Sequence, residues 1–293
     1  MSAVTEKSKQ CYTNLTVEYP GGVLNFNKKT YIMGILNITP DSFSDGGKYY
    51  SLKNAVERGI EMAGEGADLI DVGGESSRPG SQPVTAEEEM RRVIPVIEAL
   101  AGKLAIPISI DTYKASVAQR AIEAGARMIN DISALRFDPA MGMIVAKSKV
   151  PVVLMHMRGQ PATMQENVVY YSLISEITQF LKERIEVAEQ VGISPHRIVI
   201  DPGIGFGKSV IEGNLEIIKQ LSFLTSLKKP ILIGPSRKTF IGNILGENEV
   251  ERDEGTAILG AIAINNGAHM IRVHDVKRMK KVVKIMDTLK MIN

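Results

Sequence analysis

The chain has 293 residues, 44% of them hydrophobic and 23% charged, with 35 Lys and Arg against 33 Asp and Glu and a formal net charge of +2. That is a folded, globular composition, which excludes disorder and fibre and leaves no electrostatic footprint for nucleic acid. No apolar run approaches the ~20 residues of a membrane-spanning helix, so neither nucleic acid nor membrane is an expected partner.

Residues 14–28 hold two short alternating runs around Pro20-Gly21-Gly22, which predicts a β-hairpin. From Tyr31 onward one pattern recurs: a short apolar run, a polar or Gly-rich stretch, then a longer amphipathic segment. The apolar runs begin near Tyr31, Asp68, Ile106, Arg127, Pro151, Arg197, Ile231 and His269. They are continuous, as in Val152–Met155 and Ile198–Ile200, the way parallel strands covered on both faces read.

Helical stripes fill the intervals. Leu52, Ala55, Val56, Ile60 and Ala63 form the first. Met90, Val93, Ile94, Ile97 and Leu100 form the second, with Thr85 and Glu88 as a capping box and Pro95 as an expected bend. Ile174, Ile177, Leu181 and Ala188 mark a long helix ahead of Gly192. Asp275–Lys290 sets its lysines outside an apolar stripe, as a solvated face.

Strand–helix alternation repeated eight times predicts an α/β fold, a (β/α)8 TIM barrel with the hairpin as a cap. No low-complexity linker divides residues 1–293, so a single domain is expected. A doubly wound open sheet shares the alternation. Cys11 stands alone, and the opening MSAVTEKSKQ lacks the apolar core of a secretion signal; a reducing, cytoplasmic setting is expected.

Barrel enzymes carry their chemistry at the carboxyl ends of the strands. Those ends here are Asn37, Asp71, Asp111, Asn130 with Asp131, His156, Asp201, Ser236 with Arg237 and Lys238, and Arg272 with His274. Individually, Asp111 also fits a helix cap, and Asn130 and Asp131 also fit turn residues. Collectively they read as a site. No His or Cys pair has zinc spacing. The stretch from Gly203 to Ser209 resembles a phosphate loop, but Pro202 stands where the nucleotide-binding version needs Gly, so its glycines are expected to shape a turn that presents Asp201. Two long loops, 37–47 and 73–81, look like lids.

The motifs ILNITPDSFSDGG, DVGGESSRPG, SIDTYK, INDIS, MHMRG with TMQ, DPGIGFGKS, GPSRKTFIG and IRVHDV together resemble the dihydropteroate synthase family, in the family's order and from about Tyr31 onward. The resemblance implies condensation of 6-hydroxymethyl-7,8-dihydropterin diphosphate with p-aminobenzoate, giving 7,8-dihydropteroate and diphosphate on the route to folate. By resemblance, Asp111, Asn130, Met155, Asp201, Phe206, Gly234 and Lys238 form the pterin pocket. Asn37, Arg272 and His274 meet the diphosphate, and Asn37 is the implied Mg2+ ligand. Phe43, Ser77, Arg78, Pro79, Ser236 and Thr239 are the implied p-aminobenzoate residues, with catalysis resting on Asp111, Lys238, Arg272 and Asp45.

The family also implies a homodimer and inhibition by sulfonamides, with Phe43 and Pro79 as resistance positions. Ser77 stands where Thr is common, Thr239 where Ser is common, and Gly213 where His is frequent; the first two keep a hydroxyl. Two alternatives share the pterin pocket. A methyltetrahydrofolate methyltransferase needs no diphosphate residues and no lid. A non-enzymatic pterin-binding paralogue would have lost them.

Overall fold

Strands β1 (Thr16–Tyr19) and β2 (Gly22–Asn25) pair antiparallel with Tyr19 opposite Gly22. Only Pro20 and Gly21 remain to turn the chain, and Gly21 takes a φ of 102° that side chains resist. The hairpin therefore forms where the sequence predicts it. In this computed structural model the described residues are 15–39, 48–76, 80–161, 163–166, 168–248 and 251–292.

Eight parallel strands follow: β3 (Tyr31–Asn37), β4 (Leu69–Gly73), β5 (Ile108–Asp111), β6 (Met128–Asp131), β7 (Val152–Met155), β8 (Ile198–Asp201), β9 (Leu232–Ile233) and β10 (Met270–Val273). They pair in the order β8-β7-β6-β5-β4-β3-β10-β9. A parallel bridge between Ile200 and Ile231 joins the two ends, so the sheet closes into a barrel and the open-sheet alternative falls. The connecting helices are α1 (Lys48–Glu65), α2 (Ala86–Ala101), α3 (Ala115–Ala124), α4 (Met141–Ser148), α5 (Leu173–Gln190) and α6 (Glu212–Lys219). Then α7 (Thr239–Leu245) and α8 (Asp253–Asn265) lie between β9 and β10, and α9 (Val276–Met291) follows β10.

Side-chain alternation explains the apolar strands. Ile70, Val72, Ile108, Ile110, Ile200 and Ile271 point outward into the core shared with the helices. Residues in the opposite phase of the strands, Met33, Leu69, Met128, Val153, Val199, Leu232 and Met270, fill the barrel interior. Val17, Leu24 and Phe26 of the hairpin join that inner cluster. The hairpin is thus a plug at the amino-terminal mouth, and the opposite mouth is left for chemistry.

Two details differ from the sequence reading. On α1 the buried face is Ala55, Val56 and Met62, whereas Ile60 is 41% exposed; Gly59 lies over Leu100 of α2 and lets the helices approach. On α2 Thr85 caps the helix by accepting from Glu88 N at 3.2 Å. The Glu88 carboxylate turns to Arg91 and Arg92 instead of completing a capping box. Pro95 lies inside this helix, whose residue range spans it.

Candidate active site

Above the apolar inner layer, the same inward-facing positions become polar. Asp71, two residues after Leu69, is fully buried. Its Oδ2 accepts from Asn130 Nδ2 at 2.9 Å and from Arg272 Nε at 2.6 Å. A terminal nitrogen of Arg272 donates to Asp111 Oδ2 at 2.7 Å. Four predicted strand-end residues on β4, β5, β6 and β10 therefore form one connected chain across the barrel mouth. Burial opposes the Arg272 charge, but Asp71 and Asp111 more than restore it. Burial raises the Asp111 carboxyl above the usual range, Arg272 opposes that rise, and Asp71 adds to it.

Asp201, at the end of β8, accepts from Gly203 N at 2.7 Å. Burial pushes its carboxyl up to about 6, against the pull of that hydrogen bond and of Lys238 and Lys208. Lys238 places its Nζ 4.2 Å from the centroid of the Phe206 ring, a cation–π contact beside Asp201. Met155 and Phe206 sit in one apolar cluster with Ile132, Met157 and Met164, a wall suited to a flat ring. The space beside Gly234 is open, since a Cβ there would meet nothing nearer than Arg272 Cβ at 3.9 Å.

The Gly-rich loop after β8 works as the sequence reading expects, although its lysine has an unexpected place. Gly203 has a φ of 70°, and a Cβ on it would lie 1.9 Å from the His156 carbonyl oxygen. Lys208 is fully buried, and its Nζ donates to the carbonyls of Gly203 (2.8 Å), Phe206 (2.7 Å) and His156 (3.3 Å). The three acceptors match the three N–H bonds of an ammonium, although burial lowers the lysine pKa well below its usual value. Lys208 is an internal strut that holds Phe206 and Asp201 in place. Lys208→Met should lower stability by about 2–4 kcal/mol, because three buried carbonyls lose their donor; urea unfolding checks this.

Two other strand-end residues turn away from the mouth. Asp131 is consumed by its own turn, accepting from Ser133 N, Ser133 Oγ and Leu135 N. His156 is buried edge-to-face against Phe180 of α5, on the helix side, and burial among Lys208 and Arg136 lowers it to about 2. Arg237 is engaged with Asp253 at 2.9 and 2.8 Å. Ser236, an expected p-aminobenzoate residue, holds His274: its Oγ accepts from His274 N at 3.1 Å and lies 2.9 Å from His274 Nδ1. Thr239 opens α7 and is exposed. Phe43, Asp45, Ser77, Arg78 and Pro79 lie outside the described residues. At the base of the second loop, Glu75 accepts from Val84 N, Tyr113 Oη and Lys114 Nζ, and Lys114 also pairs with the buried Glu89.

Among the described residues no group of three or more His, Cys, Asp or Glu side chains could hold a metal ion. Asn37 ends β3 close to Asp111. A Cβ added to Gly73 would stand 3.6 Å from Asn37 Oδ1 and 3.7 Å from Asp111 Oδ2, the oxygen that Arg272 already holds. The carboxamide oxygen of Asn37 is the kind of donor that Mg2+ takes alongside waters and phosphates.

The sequence profile of a family described as pterin binding enzyme matches residues 33–274. The dihydropteroate synthase of Synechocystis is 47% identical over 268 residues, covering 91% of this chain and 92% of that protein. The Xanthomonas albilineans dihydropteroate synthase with 4-aminobenzoic acid superposes with a TM-score of 0.89 at 43% identity, covering 96% of this chain and 100% of that one. The Yersinia pestis dihydropteroate synthase in a sulfonamide complex gives a TM-score of 0.89 at 40% identity, covering 94% and 100%.

Proposed function

The chain belongs to the pterin binding enzyme family, and from that premise we propose how its residues divide the dihydropteroate synthase reaction between them. The reaction joins 6-hydroxymethyl-7,8-dihydropterin diphosphate to p-aminobenzoate and yields 7,8-dihydropteroate and diphosphate. One observation carries the assignment of roles: the continuous chain Asn130–Asp71–Arg272–Asp111, with Asp201 beside it. It sets hydrogen-bonding groups for an amidine-like edge next to a cation for an anion.

Asp111, Asn130 and Asp201 read the pterin edge by paired hydrogen bonds. Met155 and Phe206 cover the ring, and Lys238 reaches its polar side. Arg272 and the neighbouring His274 receive the diphosphate. The C–O bond to diphosphate breaks as the dihydropterin ring nitrogen donates electrons to the exocyclic methylene, leaving a delocalised cation. The neutral arylamine then attacks that carbon and loses a proton. No strong base is required, which accounts for a site built of anions, amides and cations instead of a nucleophile with its base. Catalysis rests on charge stabilisation at the leaving group and on exclusion of water.

Asn37, with Asp111 nearby, would hold Mg2+, which when bound would neutralise the diphosphate charge. The structures of relatives with 4-aminobenzoic acid and a sulfonamide support one pocket here for p-aminobenzoate and for its sulfonamide mimics. The exposed apolar residues Phe223, Ile244, Leu245, Ile258 and Ile262 around α7 and α8 support a homodimer through that side. The lone cysteine supports a cytoplasmic setting.

The test is direct: incubate purified protein with the dihydropterin diphosphate, p-aminobenzoate and Mg2+, and quantify both products. Equal amounts of dihydropteroate and diphosphate are expected. Pterin binding with no product would sink this reading.

A further inference from the structure

Asp71 has no place in the substrate-binding roles assigned above, yet it is the hub of the site. One carboxylate oxygen takes both Arg272 Nε (2.6 Å) and Asn130 Nδ2 (2.9 Å). The other oxygen is buried without a protein partner, as are Ser109 Oγ, directly across the β4–β5 ladder, and Asn130 Oδ1. A purely structural ion pair in a barrel would satisfy these atoms or replace them with apolar groups. This layer keeps them polar.

The bonds to Arg272 differ in kind. Asp111 holds it by a terminal nitrogen, and in the reading above both partners of that bond have competing engagements, Asp111 with the pterin edge and Arg272 with the diphosphate. Asp71 holds it by Nε, at the base of the guanidinium, and lies below the mouth where no substrate group need reach. The terminal nitrogens can therefore be handed to an anion while the Asp71 bond persists. A full negative charge at Nε also compensates the buried guanidinium when Asp111 is occupied.

We propose that Asp71 is a positioning residue for diphosphate departure: it pivots Arg272 toward the leaving group and, through the shared oxygen, ties that motion to Asn130 in the pterin pocket. This rests on the roles given above to Arg272 and Asn130. Asp71 itself touches no substrate.

The test compares wild type with Asp71→Asn, which keeps the shape and one acceptor oxygen for Asn130 but removes the charge at Nε. Three quantities are read: kcat, the calorimetric affinity for inorganic diphosphate with Mg2+, and the affinity for 6-hydroxymethylpterin, which carries no diphosphate. The expected result is a fall in kcat of about 10²-fold and in diphosphate affinity of about tenfold, with the affinity for hydroxymethylpterin within twofold of wild type. Unchanged kcat and diphosphate affinity, or equal losses for both ligands, would overturn the proposal.

If Asp71→Asn does not fold, Arg272→Gln is compared with the pair Asp71→Asn/Arg272→Gln. A residue that acts only through Arg272 costs nothing further once the arginine is gone, so equal rates support the pivot and a further tenfold loss overturns it. Wild type lacking synthase activity would instead refute the functional reading on which the proposal stands.

Discussion

Arg272→Met should lower kcat for dihydropteroate formation by about 10³-fold, the scale on which one cation at a departing phosphate group matters. The same change strands two carboxylates. Asp71 is fully buried and Asp111 is 17% exposed, and both lose their nearest cation. Breaking a buried pair from one side costs about 3–5 kcal/mol, of which Asp111, nearer solvent, contributes the smaller part. Stopped assays at saturating substrates give the rate, and urea unfolding gives the stability. A variant with normal turnover would remove Arg272 from the leaving-group role.

Asp201→Asn should weaken pterin binding by about 10- to 100-fold, the value of one charge-assisted hydrogen bond, and it should reverse sign in stability. Burial holds the Asp201 carboxyl at about 6, above its ordinary 3.8. Between those values the native state binds a proton that the unfolded chain has released, so this group favours folding at low pH. That benefit is lost as pH rises through about 6. Ligand-free Asp201→Asn is then more stable than wild type above pH 6, on the order of 1–3 kcal/mol. Binding runs the other way, since the amidine-like edge wants the carboxylate: wild-type pterin affinity falls as pH drops below about 6, and the variant's affinity stays flat there. Calorimetric titrations at pH 5 and 8 decide between these slopes.

The eight strands were legible because parallel strands covered on both faces read as short apolar runs, bounded here by turn residues and longer amphipathic stretches. The site was legible for a related reason: a polar residue at the end of such a run has no use in the core. The rule failed where a polar side chain is consumed locally. Asp131 spends itself on Ser133 and Leu135, and His156 faces α5, one position out of phase with Met155. Phase was the missing signal. Leu69 with Asp71, Met128 with Asn130, Val199 with Asp201 and Met270 with Arg272 share one face at a spacing of two. That alternation marks Asp71 as inward and His156 as outward. Lys208 was beyond such reasoning, because nothing in the order of residues tells a lysine to fold back on three carbonyls of its own loop.

The barrel also has a seam. Strand β9 meets β10 over two residue pairs, and Ile231, just ahead of it, makes a single bridge to Ile200 of β8, whereas β3 and β4 share five pairs. Sub-global openings follow the fewest hydrogen bonds, so amide exchange along β9 should outpace that of β3 and β4. Asp201 ends the strand on one side of the seam, and Ser236 and Lys238 follow the strand on the other. Breathing there would spread the two banks of the proposed pterin pocket apart, and a bound ring, touching both, would fasten the cylinder shut.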